Sequence, residues 1–541
     1  MPTLEFKGKQ YIYSHHHSVP FRELLVDNKK SLPMSGKTPS LDDNLIINGD
    51  NLHALKALMP QYAGKIKCIY IDPPYNTGNE GWCYNDNVNS PLMKEWISKN
   101  ANPVDKEDMQ RHDKWLCMMY PRLKLLHELL ADDGVIFVSI DDNEAHNLRV
   151  LFDEIFGELN FIAEFTWQKR TGSNDSKNFV STDHEYVISY GKNSIIFNGV
   201  EKDFENYKNP DNDPRGDWAR DNLTCNKTAK ERPNLAYDIT DPETGIVYKC
   251  NPNRVWGYEQ ERMKRIISEG KVLFPKNDKG TPMYKRHKSE VRSDRKPFSS
   301  IIDTKMNFTA TKDLRDVFGE QIFDYPKPVD LIKQLLAQST DKDSIILDSF
   351  SGSGTTAHAV LDLNKEDGGN RKFILVEMED YADSITAERV RRVIKGVPTA
   401  KDEKLKAGLG GSFTFCELGK EISIEKIITG ESLPDYDALA KYVFYTATGK
   451  SLAGEAKEKP DYFVGETDLY EVYLIYKPDI AFLRSNDSAL NDIKLKAIAS
   501  RGSKKEKLVF ATAKYMGQKE LSEQHISFCQ LPYAIHKVAG A

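Results

Sequence analysis

Short apolar runs alternate with amphipathic stretches along most of the chain. "NLIINGDNLHALKALM" reads as a strand, a Gly-Asp exit and a helix with Leu52, Leu55, Ala57 and Leu58 on its apolar side. "KIKCIYIDPPY" is a second strand, and its prolines must end it because neither can donate to a sheet ladder. "KWLCMMYPRLKLLHELLADDG" predicts a helix stopped by Gly134, and "VIFVSID" a third strand. "FIAEFTW" and "EYVISYGK" extend the sheet, and past Lys192 the pattern fails. It resumes with the helix "YPKPVDLIKQLLAQST", then "SIILDSFSGSGTTAHAVLDL" as strand, glycine loop and helix, then the strand "KFILVEME". Strand and helix in alternation predict an α/β fold with a parallel, Rossmann-like sheet and right-handed crossovers.

The breaks in that pattern set the expected organisation. Residues 1–40 form a polar arm without a period, 41–192 the first half of the sheet, 193–320 an insert, and 321–400 the second half. "GLGGSFTF" predicts a flexible joint, followed by a small mixed α/β domain over 410–541. A length of 541 residues fits such a division into two or three domains. No apolar run approaches membrane-spanning length and the start lacks the apolar core of a signal peptide, so a cytoplasmic protein is expected. The seven scattered cysteines contain no C-x-x-C pair and point to neither a disulfide framework nor a zinc site.

Charge changes the picture in one place. The net charge is −6, yet Arg262 to Arg315 holds fifteen Lys and Arg against six Asp and Glu, a local +9 that leaves −15 elsewhere. Such a basic segment, in an insert that also carries Trp218, Trp256 and Tyr258, is suited to phosphates, and Arg286, Lys288, Arg292 and Arg295 are its candidate DNA contacts. The alternative is a solvated, charge-rich surface.

Two loops carry the candidate chemistry. In "DSFSGSGTT", Gly352 and Gly354 lie between strand and helix, where backbone amides approach a ligand closely. Ala357 takes the third fingerprint position, and Glu377 ends the next strand, placed to grip ribose hydroxyls. A dinucleotide and S-adenosylmethionine both fit that layout. The other loop, "DPPY", decides between them. Methylating an exocyclic amine is difficult because its lone pair is delocalised into the ring, so acceptors must turn the nitrogen. Asp72 can accept one N–H and the Pro73 carbonyl the other, with Pro74 stiffening the turn and Tyr75 stacking on a base swung out of the duplex. The plain alternative is a proline turn with Asp72 as a cap.

With "DPPYNTGNE" upstream and "FSGSGTT" downstream, the chain resembles an amino-group DNA methyltransferase of the permuted β class. "WLCMMYPRLKLLHELLADDGVIFVSID", "RPNLAYDITDPETG" and "YPKPVDLIKQLL" make it most similar to the modification subunits of Type III restriction systems, over residues 40–400. The resemblance implies a sheet closed by both halves, a target-recognition domain at 193–320, adenine N6 in double-stranded DNA as target and S-adenosylmethionine as cofactor. It also implies a homodimer and a restriction partner carrying nuclease and helicase activity. Asp72, Pro73, Pro74 and Tyr75 then handle the base, while Asp348, Phe350, Gly352, Ser353, Gly354, Thr355 and Glu377 hold the cofactor. Lys327, in "YPKP", lies beside the cofactor's methionine end, unless it is a solvated helix-start lysine. Adenine is preferred because relatives acting on cytosine N4 usually carry Ser at the first motif position. If the chain is permuted, the strand ending at Asn48 sits beyond the Glu377 strand, and Asp50 faces the cofactor's adenine, with a helix cap as its alternative.

Rival functions are an RNA or protein-amide methyltransferase, an N4-cytosine enzyme, or a recognition subunit directing a separate nuclease. "TATGKS" is not a phosphate loop, because Phe444 stands where a glycine is required. No metal site is expected: His15, His16 and His17 read as exposed surface, and Asp141 and Asp142 as a strand end and helix cap.

Overall fold

In the computed structural model, which describes residues 3–78, 111–172, 180–193, 195–422, 427 and 430–531, the alternating runs assemble into one ten-stranded sheet. Its strands are β1 (Arg22–Leu32), β2 (Leu45–Asn48), β3 (Ile66–Ile71), β4 (Leu130–Ile140), β5 (Phe161–Gln168), β6 (His184–Gly191), β7 (Ile301–Ile302), β8 (Ile345–Asp348), β9 (Lys372–Glu377) and β10 (Phe413–Glu421). Their order is β1-β10-β2-β9-β8-β3-β4-β6-β5-β7. From β10 to β4 all neighbours run parallel, while β1 and β6 are antiparallel to theirs. The helices that connect the parallel strands include α1 (Asn51–Tyr62), α2 (Arg111–Leu129), α3 (Val329–Ser339), α4 (Thr355–Asp367) and α5 (Glu388–Lys395). The central strands are apolar on both faces, as a sheet covered by helices requires.

The order is permuted as expected. Asn48 at the end of β2 pairs in register with Glu377 at the end of β9, and β8 lies against β3. Several boundaries differ from the sequence reading. The arm contains an eleven-residue strand, β1, which the sequence pattern missed because an edge strand buries too little to impose alternation. Helix α2 ends at Leu129, not Gly134, and β4 begins at Leu130. Gly134 lies inside that strand beside a register irregularity, where a Cβ would stand 2.9 Å from the Ile66 carbonyl. The glycine-rich stretch near 410 is not a flexible joint: Leu409 and Gly410 donate to Val393 and Ile394, and β10 follows as a strand of the main sheet.

A four-stranded sheet follows from strands at Phe463–Glu466, Tyr470–Leu474, Glu506–Ala511 and Ile526–Gln530. The segment is tied to α1: Leu452 N–H donates to the Pro60 carbonyl at 3.0 Å, and the Ser451 hydroxyl to that of Ala63 at 3.0 Å. Residues Asn198–Phe298 form a separate compact unit, narrower than 193–320, because β7 joins the main sheet beside β5. That unit has its own core of Leu223, Ile239, Tyr248, Trp256, Met263 and Ile266 and a three-stranded antiparallel sheet. No helix among the described residues is long and apolar enough to cross a membrane.

Candidate active site

Strand β8 leads through α4 to β9 on one side, while β3 leads through α2 to β4 on the other. The order reverses between β8 and β3, which lie in register with Leu347 opposite Ile69. A crevice opens at such a switch point, at the carboxyl ends of the strands. Both loops singled out in the sequence start there.

In the glycine loop most polar side chains are already engaged, the buried Ser349 hydroxyl excepted. Asp348 accepts from the Phe350 N–H at 3.0 Å and from the Thr356 hydroxyl. Burial pushes its carboxyl up to about 7, against the pull of those donors. Glu377 accepts from the N–H groups of Gly352 (2.7 Å), Met378 (3.0 Å) and Glu379 (3.1 Å), and burial likewise pushes it up to about 7. The hydroxyls of Ser353 and Thr355 turn away to the buried Arg389, at 2.9 and 2.8 Å. Asp348, Ser353 and Thr355 therefore brace the loop through their side chains, and what Ser353 and Thr355 offer a ligand is backbone. Gly352 and Gly354 have φ of 49° and 78°, a region glycine enters freely. A Cβ on Gly354 would stand 3.1 Å from the Thr386 carbonyl. Phe350 is half-buried at the crevice.

The base loop is built differently. Asp72 Oδ2 pairs with the Lys327 ammonium at 2.9 Å, while Asp72 Oδ1 is buried and has no hydrogen-bond partner among the described residues. Burial raises the Asp72 carboxyl above its usual range, with Lys327 opposing. Lys327 is not a solvated helix-start residue: its side chain is 9% exposed, and it also lies 3.5 Å from Glu185 Oε2. Burial works against its charge, but Asp72 and Glu185 together lift it above the ordinary lysine range. The Tyr75 hydroxyl donates to the same Glu185 oxygen at 3.1 Å, and the Lys327 ammonium stands 4.9 Å from the Tyr75 ring centre. Lys169 binds the other Glu185 oxygen at 3.3 Å. Trp115 donates to the Pro74 carbonyl at 2.7 Å, which holds the turn, and Pro73 is buried. Glu185, Lys169 and Arg389 were not singled out in the sequence. A lone acid among β-formers in "HEYVISY" is the signal that marks Glu185, since a charge inside a sheet needs a partner.

Asp50 takes the capping role that the sequence reading left as its alternative. One oxygen accepts from the His53 N–H at 3.1 Å and the other lies 3.4 Å from Arg122. Gly49 N–H donates to the Glu377 carbonyl, so Asp50 does sit beside the β9 end.

Within the 198–298 unit the candidate DNA contacts split. Arg286 is paired with Asp221, and Arg295 donates to the Asn198 carbonyl at 2.9 Å and lies 3.6 Å from Glu201. Lys288 and Arg292 are exposed. Trp218 and Trp256 are buried, so they serve the unit's packing. The unit holds 21 basic and 17 acidic residues, a milder excess than the local +9.

The histidine arm also differs from expectation: His15 and His16 are buried. Ligand-type atoms of His16, His17 and Glu128 lie within 4.8 Å of one another, but the ammonium groups of Lys56 and Lys124 face His16 and oppose a cation. Asp141 accepts from Asn143 N–H at 3.0 Å in a turn, and Glu144 is the residue at the helix start.

This arrangement can be set against known proteins. The N6/N4 methyltransferase family, described as DNA methylase, matches residues 66–388. The chain belongs to that family. Among its relatives, the Type III restriction-modification enzyme StyLTI Mod subunit of Salmonella typhimurium is 35% identical over 72% of this chain and 62% of that protein. The EcoPI Mod subunit of Escherichia phage P1 is 32% identical, covering 81% of this chain and 76% of that one. The Type II methyltransferase M.KpnI of Klebsiella pneumoniae is 32% identical over 66% of this chain and 84% of its own length. The chain thus spans less than two thirds of the Salmonella relative. The match of residues 66–388 runs across both halves of the sheet and includes both loops.

Proposed function

We propose that this family member transfers a methyl group from S-adenosylmethionine to N6 of an adenine extruded from duplex DNA, within a restriction-modification system. The observation that carries the reading is the convergence of two unlike loops on one switch point. One is a glycine loop that ends in helix-start amides, and the other an acid with a buried, unpartnered oxygen. The cofactor supplies an electrophilic methyl on a sulfonium when bound. Its supporting residues are Phe350, the backbone at Gly352, Ser353, Gly354 and Thr355, and Glu377, with Asp348 holding the loop from behind. Asp50 and Lys327 stand at the two sides of that crevice.

Asp72 and the Pro73 carbonyl accept the two N–H bonds of the amine, which leaves its lone pair facing the methyl. Tyr75 gives the extruded base a face to stack on. As the nitrogen gains the methyl it sheds one proton, to Asp72 or to water, and the sulfonium leaves as a neutral thioether. Asp at position 72, where N4-cytosine relatives usually have Ser, favours adenine.

Duplex recognition falls to the 198–298 unit, with exposed Lys288 and Arg292 as phosphate contacts and Arg286 and Arg295 shaping the surface around them. The Mod-subunit names of its relatives support work beside a separate restriction subunit; the homodimer and the cytoplasmic setting are part of the same proposal and rest on the resemblance of the motifs. A recognition role for such a subunit is compatible with methyl transfer.

Sequencing that detects modified bases, applied to DNA from a host expressing the protein, tests this reading. N6-methyladenine at one recurring sequence is expected. N4-methylcytosine would overturn the choice of base, and unmodified DNA would overturn the function.

A further inference from the structure

Resting on the reading just given, we infer that Glu185 is the positioning residue of the base site. Through Lys327 it fixes which oxygen of Asp72 meets the target amine, and through the Tyr75 hydroxyl it fixes the ring on which the base lies. Glu185 comes from β6, an antiparallel strand two places from the Asp72 strand, and its side chain is 8% exposed. Neither methyltransferase motif contains it.

The geometry is specific. Lys327 pairs with Asp72 at Oδ2 (2.9 Å) and leaves Oδ1 without a partner among the described residues. A lysine held by Asp72 alone can rotate about the carboxylate and cover either oxygen, because an ammonium is a compact charge on a flexible stem. Glu185 Oε2, 3.5 Å from the same ammonium, prevents that by drawing Lys327 to one side. The same oxygen accepts from Tyr75 at 3.1 Å, so the acceptor for the amine and the face for the ring are set by one atom. Lys169, at 3.3 Å from Glu185 Oε1, brings the cluster to two carboxylates and two ammonium groups, which lets a buried site hold these charges.

The charges also prescribe opposite pH responses. Asp72 is faced by Lys327, Glu185, Tyr75, Tyr70 and Asp348, and Glu185 by Lys327, Lys169, Tyr75, Asp72 and Tyr70. Removing the negative charge of Glu185 makes Asp72 easier to ionise. Removing the positive charge of Lys327 makes it harder.

The test is single-turnover methyl transfer to duplex DNA as a function of pH. Glu185→Gln is expected to slow transfer by about 100-fold, the cost of misplacing reacting groups by about an ångström. Cofactor affinity should stay within about threefold, and the acid limb of the rate profile should move to lower pH. Lys327→Met should move that limb to higher pH, and Glu185→Asp, which keeps the charge, should return it to the wild-type position. Tyr75→Phe should lose most of its effect in the Glu185→Gln background, since the shared contact is already gone. An unchanged rate in Glu185→Gln, or limbs that move in the same direction in the Gln and Met variants, would overturn the assignment. Should Glu185→Gln fail to fold, an unmoved acid limb in Lys327→Met overturns it alone. Transfer by the unaltered protein in the same assay separates the two levels. Without it both the function and the assignment fall, whereas normal transfer with an indifferent Glu185 sinks only the assignment.

Discussion

The two loops that meet at the switch point are finished to different degrees. In the glycine loop the side chains of Asp348, Glu377, Ser353 and Thr355 have partners within the protein and brace a cradle that offers backbone amides, with the Ser349 hydroxyl left unpaired behind it. In the base loop Asp72 keeps one oxygen without a partner among the described residues and pairs through the other with Lys327, which Glu185 and Lys169 extend into a cluster of ion pairs. A cofactor of constant structure suits a cradle completed in advance. An amine that arrives on a flipped base and changes during reaction suits acceptors left incomplete, because a buried polar atom without a partner gains most from the group that completes it. Here the engaged polar groups hold the shape of the cradle, and the unpartnered Asp72 oxygen is placed to receive the amine.

The largest expected effect breaks the comparison at its open end. Asp72→Ala should lower methyl transfer by about 10³-fold or more, the range for losing one preorganised polar contact at a reacting centre. Cofactor affinity, measured by calorimetry on the same preparation, should stay within about threefold. A comparable loss of cofactor binding would mean that the two loops are not separate devices.

Next comes the cradle itself. Gly354→Val places a branched side chain at a φ of 78° and a Cβ 3.1 Å from the Thr386 carbonyl. Strain of about 1 to 3 kcal/mol is expected. It should appear as cofactor binding weakened by about 10- to 100-fold, with transfer at saturating cofactor much less affected. Wild-type affinity would show that the loop adjusts and is not rigid.

The pH dependence sharpens the contrast further. Glu377 has its carboxyl raised to about 7 in the fold from an ordinary 4.5. The folded state thus holds a proton that the unfolded chain gives up. The associated stability is fully present below about 4.5 and is lost as pH rises through about 7, on the order of 1 to 3 kcal/mol. Urea unfolding at several pH values should show that loss in the wild type and not in Glu377→Gln. Cofactor affinity should move the opposite way, rising through about 7 as the ionised carboxylate becomes available to ribose hydroxyls, and Glu377→Gln should flatten that rise.

The smallest effect is expected at Asp50. Removing its capping contact to His53 with Asp50→Ala should cost about 1 kcal/mol of stability, read from the denaturant midpoint. Cofactor affinity that falls by more than about threefold would add a ligand contact to the cap.

Much of this was legible along the chain because the information is local. The apolar runs of β2, β3, β4, β8 and β9 predict buried parallel strands, and two prolines after Ile71 and two glycines after Ser351 mark where the chain leaves the sheet. The neighbour relation of Asn48 and Glu377 followed from recognising the permutation. The edge strand β1, the start of β4 and the place of β10 were not legible. Their conformations depend on partners distant in the chain, as when β1 pairs with β10 and the start of β4 with Ile66, and not on a period of their own.

The sequence by itself thus determined the kind of chemistry, since "DPPY" and "FSGSGTT" carry their backbone geometry and their functional groups within a few residues. Only the tertiary structure decided the electrostatics of the site. Lys327 was expected beside the cofactor and is found on Asp72. Glu185 drew no notice and proves to hold Lys327, Tyr75 and Lys169 at once. Arg286, expected to meet DNA, is paired with Asp221. The reason is physical: a charge interacts with whatever lies within a few ångströms in space and outside water's screening. Which groups those are is set by the packing of strands and helices far apart in the chain.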